Sequence, residues 1–284
     1  MNLGLLAALV DDAGLFPPEQ LPMAGALARH RADERAGHPM LTHRFLCPAS
    51  RLGELRAGLP DRQPLRLGLI LDTGVDRLAA AQAEVAAEPA LVLEMLEVAA
   101  PSAEMVSAVL EGLEAFEPAA FVEGPRQPGW IKQLAARGGP GGRRGVKVRC
   151  GGARAELFPS PEELAASVCA CFEHAVPFKA TAGLHGAVRH TDERTGFVHH
   201  GFLNLLVAAV RAASGAALGE VAAALASTDG PALAGEARSV SGRSLVAARS
   251  LFRAYGSCST SEPRGEAAAL GLLPDGAANG ASGA

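Results

Sequence analysis

Short apolar runs alternate with amphipathic stretches along most of this chain. The runs at 41–48 (LTHRFLCP), 65–72 (LRLGLILD), 90–98 (ALVLEMLEV), 119–124 (AAFVEG), 145–152 (GVKVRCGG) and 176–183 (VPFKATAG) read as strands. Helical patterns fill 50–58, 75–87, 102–116, 129–137 and 161–174. Strand starts fall roughly 25 to 30 residues apart, the length of a strand–helix repeat, so parallel strands with helices outside are expected. Two further strands are less marked, one near 7–12 and one somewhere after residue 225. The helix starts are punctuated. Ser160 precedes Pro161, with Glu163 three residues on, the pattern of a capping box, and Ser102 stands before another helix in a similar way.

Six to eight such units predict an α/β chain of the (β/α)8 TIM-barrel type, one domain over 1–272 with a flexible tail over 273–284. A doubly wound open sheet is the alternative. No G-x-G-x-x-G or P-loop follows a strand, which weakens a nucleotide-binding open sheet. The stretch 184–200, LHGAVRHTDERTGFVHH, reads as a long polar loop after the last clear strand, leading into the helix GFLNLLVAAVRAAS. Long loops at the C-terminal ends of barrel strands are where active sites are built. RGGPGGRRG (137–145) reads as a flexible connection on the opposite face, without chemistry.

Composition narrows the partners. The chain has 284 residues, 49% of them hydrophobic, and a net charge of −4, so it offers no basic surface for nucleic acid. Aromatics at 4% supply no stacking platform. No apolar run approaches the roughly 18 residues of a membrane span. The start, MNLGLLAALVDDAGLF, lacks a basic leader and a cleavage site and is not read as a signal peptide. Five cysteines, odd in number and without C-x-x-C, suit reduced thiols in a cytoplasm. A small-molecule substrate is the expected partner, no cofactor or metal is assigned, and the oligomeric state is open.

Period-two alternation locates the chemistry. On GVKVRCGG, Val146 and Val148 suit the apolar layer under the helices, so Lys147 and Arg149 should face the lumen. The same logic turns Lys179 and Thr181 inward, opposite Phe178 and Ala180. Buried amines need balancing acids or an anion. Asp72, Glu97 and Glu123 end successive strands. Glu94 faces opposite to Glu97, and alternation leaves open which of the two points inward. A lysine beside another cation in a dry pocket has a lowered pKa and becomes a nucleophile towards carbonyls.

VKVRCGG and FKATAGLH resemble the sixth- and seventh-strand motifs of deoxyribose-phosphate aldolase, with Lys179, Gly183 and His185 at that family's offsets and His185 where it carries arginine. The resemblance implies that Lys147 forms a Schiff base, that Lys179 lowers its pKa, and that the glycine segment helps hold phosphate. A wider likeness runs through LVDDAGLFPPEQLPM, HRFLCPASRL, KVRCGG, FKATAGLHGAVRH, HHGFLNLL and YGSCSTSEP. It is to a family of bacterial barrel-type proteins of uncharacterised activity, and it implies none.

The remaining candidates are weighed singly. His185, His190, His199 and His200 lie close together beside Asp192 and Glu193, but their spacing fits no metal signature. His185, directly after the glycine, is the first choice for a general acid or base. DDAGLFPP offers Asp11 and Asp12 before a turn, and Asp12 is taken as the site residue. HRFLCP sets Arg44 and Leu46 opposite His43, Phe45 and Cys47. Cys150 should pack outward as an inert thiol. GSCSTSEP (256–263) reads as a helix C-cap followed by an N-cap. The expected catalytic set is Lys147, Lys179, His185, Glu123 and Asp12. The expected substrate-binding set is Arg149, Thr181, Gly183, Arg44, His200 and Asn204.

These residues predict a small-molecule enzyme, a lyase of class I aldolase type. The alternatives are a metal-dependent hydrolase or lyase using the histidine loop, or a catalytically silent ligand-binding barrel. Lysines locked in closed ion pairs would favour the silent barrel.

Overall fold

A computed structural model describes residues 3–59, 63–138 and 142–273. The strands are β1 (Val10–Asp12), β2 (Leu41–Pro48), β3 (Leu65–Leu71), β4 (Leu91–Ala99), β5 (Ala119–Glu123), β6 (Arg144–Arg149), β7 (Phe178–Thr181), β8 (His190–Thr191), β9 (Val198–His199) and β10 (Phe252–Ser257). The helices are α1 (Leu3–Leu6), α2 (Met23–Ala36), α3 (Leu52–Gly58), α4 (Leu78–Ala86), α5 (Ala103–Gly112), α6 (Ile131–Arg137), α7 (Pro161–Glu173), α8 (Phe202–Ala213), α9 (Leu218–Ala226), α10 (Gly230–Ser239), α11 (Gly242–Leu251) and α12 (Glu262–Ala269). Eight strands close into a parallel barrel in the order β1, β10, β7, β6, β5, β4, β3, β2. This is the (β/α)8 architecture that the alternation predicts.

Outward strand residues such as Val146, Val148, Phe178 and Ala180 join the helices in one continuous apolar layer. Inside the barrel, Ala13, Leu46, Met95 and Phe121 form a separate small cluster with Ile70. The helix starts behave as their sequence signals require. Ser160 Oγ accepts from Glu163 N at 3.2 Å while Glu163 Oε2 accepts from Ser160 N at 2.8 Å, and Ser102 Oγ accepts from Met105 N at 3.2 Å.

Two expectations are corrected, those for 184–200 and for GSCSTSEP. The segment 184–200 is not a plain loop: β8 and β9 pair antiparallel, and Asp192 Oδ1 closes their turn by accepting from Arg194 N and Thr195 N. GSCSTSEP does not begin with a helix C-cap, because Gly256 and Ser257 end β10, the eighth barrel strand. Only its second half, leading into α12, is a helix start. Its signal was weak because α8 to α11 separate β10 from β7, which breaks the repeat spacing. The expected tail falls on 273–284; Leu273 is buried, and 274–284 lie outside the described residues. RGGPGGRRG also partly lies outside them, and its last two residues begin β6.

Candidate active site

The lumen of the barrel is charged, and its charges alternate in sign. Arg66 Nη2 donates to Glu94 at 3.0 Å, and Glu94 accepts from Arg44 Nε at 3.0 Å. Arg44 Nη1 donates to Asp11 at 2.9 Å, and Asp11 accepts from Lys179 Nζ at 2.7 Å. Lys179 also hydrogen-bonds Glu97, whose other oxygen lies 2.8 Å from Lys147 Nζ. Lys147 Nζ is 3.2 Å from Glu123, which holds the guanidinium of Arg149. Arg66 and Glu94 lie towards the strand starts, whereas Glu123 and Arg149 are the last residues of β5 and β6. The chain of pairs therefore runs along the barrel and ends at its C-terminal mouth, with five cations to four carboxylates.

Strand geometry explains how these residues meet. β6 and β7 pair with Lys147 directly beside Lys179, and Arg149 beside Thr181. On β4 the pairing with β3 shifts after Leu93, so Glu94 is an extra residue that reaches Arg44 although Glu97 also faces inward. The choice between Glu94 and Glu97 left open by alternation has the answer that both join the chain. On β2 a second irregularity, with His43 at φ 52°, brings Thr42 and Arg44 to the same Asp11 oxygen.

The two lysines differ. Lys179 is 1% exposed between Asp11 and Glu97 and is fully enclosed. Lys147 is 9% exposed, and its neighbours Glu123 and Arg149 are 18% and 38% exposed, so of the two amines Lys147 is the one next to solvent at the C-terminal mouth. The Glu97 oxygen facing Lys147 lacks a directed hydrogen bond, although the two charges are close. Burial would raise the Glu97 carboxyl, but the charges of Lys147 and Lys179 hold it down at about 2. Burial would lower Lys147, but Glu97 and Glu123 outweigh it and hold the amine above its ordinary range. The carboxyl of Glu123 is likewise lowered: burial opposes this, and Lys147 and Arg149 prevail.

Other candidates lie elsewhere. Asp12 does not face the lumen; it accepts from Gly14 N at 3.0 Å and lies 3.1 Å from His30 Nδ1 and 2.5 Å from Arg29, against α2. The lumenal acid of that pair is Asp11. The alternation of LVDD carried this signal, since Val10 packs outward and its neighbour must turn in. His200 Nε2 donates to Pro159 O at 2.8 Å and its Nδ1 accepts from Arg189 at 3.2 Å, fully buried outside the lumen. Asn204 spends its amide on Arg189 N, Ala224 O and Ser227 O. Neither is free to hold a substrate. Gly183 has φ 69°, and a Cβ there would lie 2.5 Å from the Cys150 carbonyl, so glycine lets the turns after β6 and β7 touch. Asp72 is exposed and accepts from Ser50 instead of joining the chain. Cys150 packs outward as expected, its thiol raised by burial to about 12.

His185 sits at the mouth with Nδ1 3.6 Å from the Sγ of Cys258, the residue that follows β10. Burial, then the nearby His199, lower its pKa, so the ring is neutral at pH 7. His199 lies 5.9 Å from His185 and 5.5 Å from His190, ring centre to ring centre. Among the described residues, no three His, Cys, Asp or Glu side chains stand together so as to hold a metal ion.

The fold and the lumen define this chain as a parallel (β/α)8 barrel with a lysine–carboxylate chain opening at the C-terminal end of its strands. Compared with protein-family models, characterised proteins and solved structures, the chain matches none. No helix among the described residues is long and apolar enough to cross a membrane.

Proposed function

We propose that this protein is a lyase of class I aldolase type, acting on a small carbonyl-bearing anion through Lys147. The observation that carries this reading is the end of the ionic chain at the C-terminal mouth of the barrel, where Lys147, Glu123 and Arg149 lie. Lys147 is the lumenal amine next to solvent, it stands beside Lys179, and it lies between the carboxylates of Glu97 and Glu123. Replacing buried ion pairs by apolar side chains of similar volume is often neutral or stabilising. A chain of nine charges in place of an apolar filling is therefore better explained by chemistry than by stability. The fifth cation, Arg149, stands at the mouth and suits an anionic substrate.

In this reading a carbonyl ligand displaces part of the pairing at Glu123. With that pairing loosened the ammonium gives its proton to solvent at the mouth, the free amine adds to the carbonyl carbon, and water leaves to form the imine. The protonated imine then withdraws electrons from the neighbouring carbon–carbon bond, while His185 remains available at the mouth to move a proton. Lys179 acts through Glu97 as a positioning residue. Five free cysteines support a reducing, cytoplasmic setting.

Borohydride reduction in the presence of small aldehydes and ketones tests the proposal. A covalent mass increase mapped to Lys147 is expected. No adduct across a broad carbonyl panel would sink it.

A second reading, a ligand-binding barrel without covalent chemistry, is favoured by one observation: both amines lie in ion pairs, and Lys147 is held above its ordinary pKa. The same trapping experiment separates the two.

A further inference from the structure

A cavity of about 220 Å³ lies between the tops of β5 and β6 and the helices α6 and α7, and Glu123, Lys147 and Arg149 of the lumenal chain are among the residues that line it. Its floor is apolar, formed by Val146, Val148, Ile131 and Leu164, with the indole of Trp130 at one side. Trp130 is set there by two local features. A Cβ at Gly124 would lie 2.4 Å from the indole, so glycine permits its close approach, and Trp130 Nε1 donates to Pro125 O at 2.8 Å. The volume is below the roughly 300 Å³ at which drug-sized sites begin, which suits a small metabolite.

Lys147 and Arg149 are already paired with Glu123, which leaves Arg126 and Glu163 as a separate pair at the rim. Arg126 Nη1 lies 3.2 Å and 3.4 Å from the two Glu163 oxygens, and the two side chains are 43% and 36% exposed. Such an exposed pair contributes little to stability, so a ligand can open it at low cost. An anion entering here would meet Arg126 but be repelled by Glu163, and a cation would meet the converse. A ligand bearing both charges satisfies both residues and leaves neither unpaired.

We propose that this cavity is a binding site for a zwitterionic amino acid with an apolar side chain. Its carboxylate pairs with Arg126, its ammonium with Glu163, and its side chain lies on Val146, Val148 and Leu164 against Trp130. Lys147 lines the same cavity, but the contacts assigned to the ligand do not use its amine.

Trp130 is the only tryptophan of the chain, so its fluorescence reports occupancy. Titration of the full chain with L-leucine should give a saturable change. 4-Methylpentanoate, which lacks the ammonium, and isoamylamine, which lacks the carboxylate, should bind at least about tenfold more weakly, as should glycine. Arg126→Ala and Glu163→Gln should weaken leucine binding to a similar degree. Glutamine at 163 preserves the helix cap with Ser160, and calorimetry on the same variants provides a readout independent of the indole. Equal binding of the acid or the amine alone, unchanged affinity in Arg126→Ala, or no response to any apolar zwitterion would overturn the assignment.

Discussion

Replacing Glu97 by glutamine removes the charge shared by both lumenal lysines while keeping the side chain's shape. In the native barrel the carboxylate is 1% exposed, hydrogen-bonds Lys179 and stands 2.8 Å from Lys147. The variant leaves five cations facing three carboxylates, with Lys179 held by Asp11 alone and Lys147 by Glu123 alone. Breaking a buried ion pair from one side costs about 3–5 kcal/mol, because the remaining charge stays desolvated. For a chain of this size that is a drop of roughly 6–15 °C in the unfolding midpoint. The second consequence is chemical. With one counter-charge gone and Lys179 still adjacent, the Lys147 amine loses its proton more readily, so borohydride trapping of an aldehyde at neutral pH should be faster. Removing both partners together, as in Glu97→Leu with Lys179→Met, should recover part of the lost stability, since no uncompensated charge is left between them. Thermal melts and the pH dependence of trapping read the two effects separately. If Glu97→Gln unfolds within about 1 kcal/mol of the native protein and traps aldehyde at the native rate, the ionic chain does not govern Lys147.

Three further outcomes follow from the same geometry. His185 and His199 have lowered pKa values, so their contribution is intact above 6.5 and is lost as the pH falls below it; Glu97, down from 4.5 to about 2, adds a loss below 4.5, while Lys147, raised from 10.5, keeps its contribution up to 10.5 and loses it above. Denaturant titrations of the native protein and of His185→Gln should therefore differ, the loss of stability below pH 6.5 being smaller in the variant; an unchanged loss would contradict the placement of His185. Asp12→Asn should cost about 1–3 kcal/mol by loosening α2 yet leave aldehyde trapping unchanged, whereas Asp11→Asn should alter trapping; the reverse pattern in a mass-spectrometric trapping assay would place Asp12 in the lumen after all. Gly183→Ala combines a left-handed backbone, costing about 1–2 kcal/mol, with a clash against the Cys150 carbonyl. Gly196→Ala, at φ 71° with open space around it, should show only the backbone part, and equal losses in the two variants would remove the contact argument.

Much of the barrel is legible in the chain, because its cause is local. A strand buried under helices must be apolar on its outer face, and helices must cap their ends, so β2 is bounded by its own residues and α7 by Ser160 and Glu163. The inward placement of Lys147, Arg149, Lys179 and Thr181 follows from period two alone. What alternation could not supply lies where the backbone departs from period two or where distant segments meet. Glu94 joins Glu97 because β4 carries an extra residue against β3, and Thr42 and Arg44 converge on Asp11 because His43 takes a left-handed conformation. Asp11 and Lys179, 168 positions apart, form a pair only when the barrel closes. The same closure decided that Asn204 and His200 serve backbone carbonyls outside the lumen. Chain pattern determines which residues face inward; the curvature and register of the closed sheet determine which of them touch, because contact across a lumen depends on strands that share no local sequence.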